Sequence, residues 1–140
     1  SSVLQIDAQS NISASYKLRI FEHNIWIPAA GSRTITYYAQ SNYTSGLTAD
    51  QVKLTCQYLS SADDNTLTSV TSTQGVTIRD DEDDWDQYLQ VTVAPAKAGY
   101  VTCRSTLAAY ESGKYLWIDP MLVTTGLTIV PRWYGGESLV

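Results

Sequence analysis

Apolar and polar residues alternate along this chain in short runs with a period of two. The clearest run is 88–93, where Leu89, Val91 and Val93 share one side and Tyr88, Gln90 and Thr92 the other. Such alternation is what a strand with one buried face requires, because successive side chains point to opposite faces. Residues 101–107 repeat it, with Val101, Cys103 and Leu107 inward and Thr102, Arg104 and Thr106 outward. Residues 51–59 do the same: Val52, Leu54, Cys56 and Tyr58 inward, Lys53, Thr55 and Gln57 outward. Within 33–40 the inner set is Ile35, Tyr37 and Ala39, and within 16–21 it is Tyr16, Leu18 and Ile20. Shorter runs at 3–8, 25–27 and 115–123 read as strands too, and 67–78, broken by Gly75, as one bent strand or two short ones. The expected core is Leu18, Ile35, Val52, Leu54, Leu89, Val91, Val101 and Ile118.

Turn formers separate these runs. Pro95 and Gly99 bracket one turn, and Ala29-Ala30-Gly31-Ser32 and Glu111-Ser112-Gly113 make others. Pro120 lacks a ladder donor, so the strand over 115–123 is expected at an edge or broken there. No stretch carries helical periodicity over a normal helix length. Strands at near-regular spacing point to an all-β, two-sheet antiparallel β-sandwich, a jelly roll first and an immunoglobulin-like sandwich second. Residues 1–125 are expected to form that domain. Residues 126–140 then make a C-terminal extension or connector, in which Leu127, Ile129, Trp133 and Tyr134 offer apolar area for an interface.

Composition narrows the function classes. The chain has 140 residues, enough for one domain that buries roughly 70% of its unfolded surface. Net charge is −5, and the 9 Lys and Arg are scattered. A groove that tracks phosphates needs clustered cations, so nucleic acid is not an expected partner. No apolar run approaches the ~18 residues of a membrane span, and no membrane insertion is expected. The chain starts Ser1-Ser2, which reads as a processed chain or a piece of a longer one. Abundant Thr, Ser, Tyr and Asn with few Lys and Glu suit an extracellular or virion-surface module.

Few residues suit catalysis. His23 is the only histidine, and nothing near it resembles a nucleophile motif. Two cysteines and one histidine at no recognisable spacing do not make a zinc site. Cys56 and Cys103 both fall on inner faces. They read either as a cross-sheet disulfide of the immunoglobulin type or as two buried thiols. The run 80–86 is acidic and reads as a solvated loop or, less simply, as a source of Ca2+ ligands. Asn11-Ile12-Ser13 and Asn42-Tyr43-Thr44 are glycosylation sequons.

The order of segments carries a resemblance. Val3-Leu4-Gln5-Ile6 is followed by Ile25-Trp26-Ile27-Pro28 and Gly31-Ser32-Arg33-Thr34-Ile35-Thr36. Then come the Trp85-led strand, the Pro95/Gly99 turn and the late Ile118-Asp119-Pro120. Together they resemble the jelly-roll sandwiches of the carbohydrate-binding-module and galactose-binding-like type, which recur in phage virion and microbial surface proteins. The resemblance reaches from the start of the chain to Val123. It implies a structural Ca2+ held by a late-strand carboxylate, which maps to Asp119. Pro120 stands where those families commonly place a second acid. No other cofactor is implied.

Two functions are expected from these features. The first is a non-catalytic structural or display module of a larger virion or cell-surface assembly, working by contacts with other subunits or domains. The second is a glycan-binding module with Trp85, Tyr110, Trp133 and Tyr134 as sugar platforms. A small hydrolase is the third and weakest class.

Overall fold

The structure, a computed structural model, describes residues 4–7, 19–72, 87–109 and 111–125. Eight strands occur among them: β1 (Leu4–Asp7), β2 (Arg19–Ile27), β3 (Arg33–Ser41), β4 (Val52–Leu59), β5 (Leu67–Thr71), β6 (Tyr88–Val93), β7 (Gly99–Leu107) and β8 (Tyr115–Thr125). No helix occurs among the described residues.

The strands form two four-stranded antiparallel sheets. One sheet has the order β1-β8-β3-β6 and the other β2-β7-β4-β5. The first strand pairs with the last, the second with the seventh, the third with the sixth and the fourth with the fifth. That nesting is one long hairpin rolled over on itself, with β3–β8 and β4–β7 pairing to close each sheet. It is the jelly-roll arrangement of the two-sheet sandwich. Only β4 and β5 are joined within one sheet; each remaining connection passes from one sheet to the other.

The inner faces meet in one core. Ile25, Ile27, Val52, Leu54, Val101 and Leu107 from the second sheet face Ile35, Tyr37, Leu89, Val91, Val93, Leu116 and Ile118 from the first. The period-two reading of residues 35, 52, 54, 89, 91, 101 and 118 therefore holds, while Tyr16 and Leu18 lie outside the described residues. Loop residues Tyr43, Leu47 and Ala109 complete the core. The Tyr43 hydroxyl donates to the Ala109 carbonyl at 3.1 Å.

Three elements differ from expectation. Residues 19–27 form one nine-residue strand, which carries the polar run Glu22-His23-Asn24 between the expected runs at 16–21 and 25–27. In β2 that run keeps the alternation, because Glu22 and Asn24 are exposed while His23 shares its side with Ile25 and Ile27. Strand β8 runs through Pro120 and, over Leu116–Ile118, lies between β1 and β3 rather than at an edge. The break expected at proline appears as a bulge instead. Thr36 pairs with Leu122 and Tyr38 with Asp119, so Pro120 and Met121 together oppose Tyr37. The extra residue absorbs the missing donor. Finally, β3 is buried on both faces: Thr34, Thr36, Tyr38 and Gln40 are as enclosed as Ile35, Tyr37 and Ala39.

The cysteines join in a disulfide, but not between the sheets. Cys56 on β4 and Cys103 on β7 are register partners on adjacent strands, with Cα atoms 4.0 Å apart. Inward parity places both on the core face without saying which strands are neighbours. This pairing removes the immunoglobulin-like alternative, in which the bridge spans the two sheets. It also excludes the free-thiol reading. A buried structural disulfide is at home in an oxidising compartment, which fits an extracellular protein.

Candidate functional site

The two sheets differ in their outer faces. Over β3 the outer face of the first sheet is closed, with Tyr38 edge-on to Tyr88 at 6.1 Å and Gln90 Nε2 donating to Thr36 Oγ1 at 3.0 Å. The outer face of the second sheet is open, and its side chains stand in register across the strands. One row joins Glu22 to Arg104 by a 3.3 Å ion pair and Thr55 to Thr71 by a 2.9 Å hydroxyl contact. The next row joins Thr102 Oγ1 to Asn24 Oδ1 at 3.0 Å and Gln57 Nε2 to Ser69 Oγ at 3.3 Å. These rows are amides, hydroxyls and one exposed ion pair.

The row at the end of the sheet is different. Trp26 on β2 pairs with Tyr100 on β7, and Leu59 on β4 pairs with Leu67 on β5. Trp26 is 56% exposed, Tyr100 66% and Leu67 63%. Single exposed apolar residues are ordinary on protein surfaces, but a contiguous set on an otherwise polar face marks a contact site. The two rings meet edge to face, with centroids 5.1 Å apart and planes at 68°. They therefore form a corner, an arrangement aromatic quadrupoles favour.

A cleft of about 320 Å³ opens beside Tyr100, walled by Leu59, Leu67 and Pro95 and edged by Asn65 and Lys97. The fold positions it by backbone hydrogen bonds. Ala96 N donates to the Leu59 carbonyl at 3.0 Å, which holds the β6–β7 turn against the end of β4. Gly31 N donates to the Pro95 carbonyl at 3.1 Å, which fixes the same turn to the β2–β3 loop. Gly31 has φ +128°, and a Cβ there would stand 3.0 Å from the Arg33 guanidinium. The loop thus needs glycine to approach Pro95 in this way.

The site residues expected from sequence divide into two groups. Trp85, Tyr110, Leu127, Ile129, Trp133 and Tyr134 lie outside the described residues, as does the acidic run 80–86. Asp119 is buried on β8 opposite Tyr38. Burial first, then Tyr88 and Asp119, push the Tyr38 phenol up to about 12. Among the described residues no group of three His, Cys, Asp or Glu side chains surrounds Asp119 or any other point. Ca2+ takes six to eight oxygens, and among the described residues Asp119 is joined by no such cluster of carboxylates. His23 is engaged with Tyr37 across the core, its Nδ1 3.2 Å from the phenol oxygen. Asn42 of the second sequon accepts from Tyr115 N through Oδ1 at 2.6 Å.

Trp26 and Tyr100 stand on strands, whereas the binding aromatics expected from sequence lie near loops. The signal was present: Trp26 lies between inward Ile25 and Ile27, and Tyr100 directly before inward Val101, so strand parity turns both rings outward. No protein-family model, curated protein or solved structure matches the chain.

Proposed function

We propose that the protein is a non-catalytic contact module of a larger extracellular or virion-surface assembly. The observation that carries this reading is the exposed row of Trp26, Tyr100 and Leu67 at the end of a sheet face that is otherwise polar. Aromatic anchors ringed by polar groups are the usual composition of a binding hot spot. Rigid sheet strands and the Cys56–Cys103 bridge hold the row in place. Other subunits or domains of the assembly are the partners, and residues 126–140 are a second contact element.

The test is association. Sedimentation of the intact protein at rising concentration, alone and with its neighbouring domains, should reveal complexes that the Trp26→Ser/Tyr100→Ser variant does not form. A wild-type protein that stays monomeric with every neighbour would sink the reading.

A second reading, glycan binding, is favoured by the row beside the aromatics. Asn24, Thr102, Gln57 and Ser69 present amides and hydroxyls next to Trp26 and Tyr100. A sugar ring needs that combination: an aromatic surface for its C–H face and amide partners for its hydroxyls. The platform in this reading is Trp26 and Tyr100 in place of loop aromatics. A glycan array separates the two readings, since only the second expects sugar binding that the same double variant abolishes.

A further inference from the structure

We propose that the cleft beside Tyr100 is a subsite for a carboxylate-bearing sugar ring of the uronic-acid type. The inference rests on the glycan reading and deepens it.

The cleft volume of about 320 Å³ sits at the low end of ligand pockets, which run from roughly 300 to 1,000 Å³. It therefore suits a single ring. Leu59, Leu67 and Pro95 give it apolar lining and the exposed Tyr100 an aromatic one, beside the polar Asn65 and Lys97. A pyranose offers a matching C–H face to such walls. Trp26 meets the Tyr100 ring at 68° and does not line the cleft, which leaves Tyr100 as its aromatic side chain.

Charge chooses among sugars. The chain carries a net charge of −5, yet the charged side chain lining the cleft is the Lys97 ammonium. Lys97 makes no ion pair among the described residues. The nearby Asp64 carboxylate is turned back on its own loop, accepting from Thr66 N at 2.9 Å. An anionic ligand thus finds a cation that is unpaired among the described residues, and a charge-assisted hydrogen bond is stronger than one between neutral groups. A neutral ring would leave the ammonium unused. The Asn65 amide at the same rim supplies a partner for a ring hydroxyl.

The experiment is titration of the intact protein with oligogalacturonate and oligoglucuronate, and with their methyl esters, which keep the ring and remove the charge. Binding of the acids should exceed that of the esters by about tenfold and weaken with added salt. Lys97→Met should erase the preference, and Tyr100→Ala should lose both ligands, with thermal unfolding of each variant unchanged. Acids and esters that bind equally, or a preference that survives Lys97→Met, would overturn the acidic subsite and leave glycan binding standing. An absence of binding to these ligands and to a neutral glycan array would overturn both.

Discussion

His23 and Tyr37 come from opposite sheets and meet inside the sandwich, edge to face, with Nδ1 3.2 Å from the phenol oxygen. Burial lowers the His23 pKa below its ordinary value of about 6.5. Burial also raises the Tyr37 pKa, so the phenol stays protonated and shares a hydrogen bond with the neutral imidazole, the tautomer of which sets the donor. The unfolded chain then binds the His23 proton more readily than the folded one. Stability from this group is complete above about pH 6.5 and declines as pH falls through the lower folded-state value. Urea midpoints between pH 8 and 5 should show this decline, and His23→Gln should flatten it. A midpoint independent of pH over that window in the wild type would remove the link.

The Cys56–Cys103 bridge ties β4 to β7 through two cysteines 47 residues apart in sequence. Constraining a loop of that length in the unfolded chain typically stabilises by about 2–4 kcal/mol. The Cys56→Ala/Cys103→Ala variant should lose about that much in chemical denaturation while keeping its β-sheet circular dichroism. A loss below about 0.5 kcal/mol would mean the unfolded chain is already constrained.

Leu89 is fully buried on β6, opposite Tyr37. Leu89→Ala should cost about 2–5 kcal/mol, read from the shift in denaturation midpoint, because the two packed sheets can close only part of the cavity. An unchanged midpoint would take Leu89 out of the core.

Glu111 clasps the β3–β4 loop to the β7–β8 loop. Its carboxylate accepts from Thr44 N at 3.2 Å through each oxygen and from the Thr44 hydroxyl. The Thr44 hydroxyl bond leads in holding the Glu111 pKa below the usual carboxylate range. The clasp is intact above that range and is lost as pH falls through the lowered folded-state value. Carboxyl titration by NMR should find Glu111 depressed in the wild type, with Thr44→Val returning it toward its ordinary value.

Much of the fold was legible because strand parity is a strong signal where one face is buried. Leu89, Val91, Val93, Val101, Cys103 and Leu107 all lie inside as alternation required. Parity fails where both faces are closed, as in β3, since Thr34, Thr36 and Gln40 give no apolar mark of their burial. It is also silent on neighbours, so it could not tell that Cys56 and Cys103 sit on adjacent strands of one sheet. Proline at 120 was a true warning of irregular pairing, but a bulge kept β8 in the interior of its sheet. The candidate site was legible in principle from the outward parity of Trp26 and Tyr100. Its cleft was not, because that depends on the Ala96–Leu59 and Gly31–Pro95 backbone bonds, which join segments distant in sequence.

The nested strand pairing also bears on how the molecule reaches its folded state. Only the β4–β5 hairpin closes locally, while β1 must find β8 at the far end of the sandwich. Each pair, once made, shortens the effective loop that the next outer pair has to close, so the entropic cost is met in small steps from the hairpin outward. Sandwiches dominated by distant pairings fold in milliseconds to seconds rather than microseconds. The nesting predicts that the outermost strands are secured last, and it places the bridge between β4 and β7 near the start of that order, where a covalent tie would shorten the search for every strand outside it.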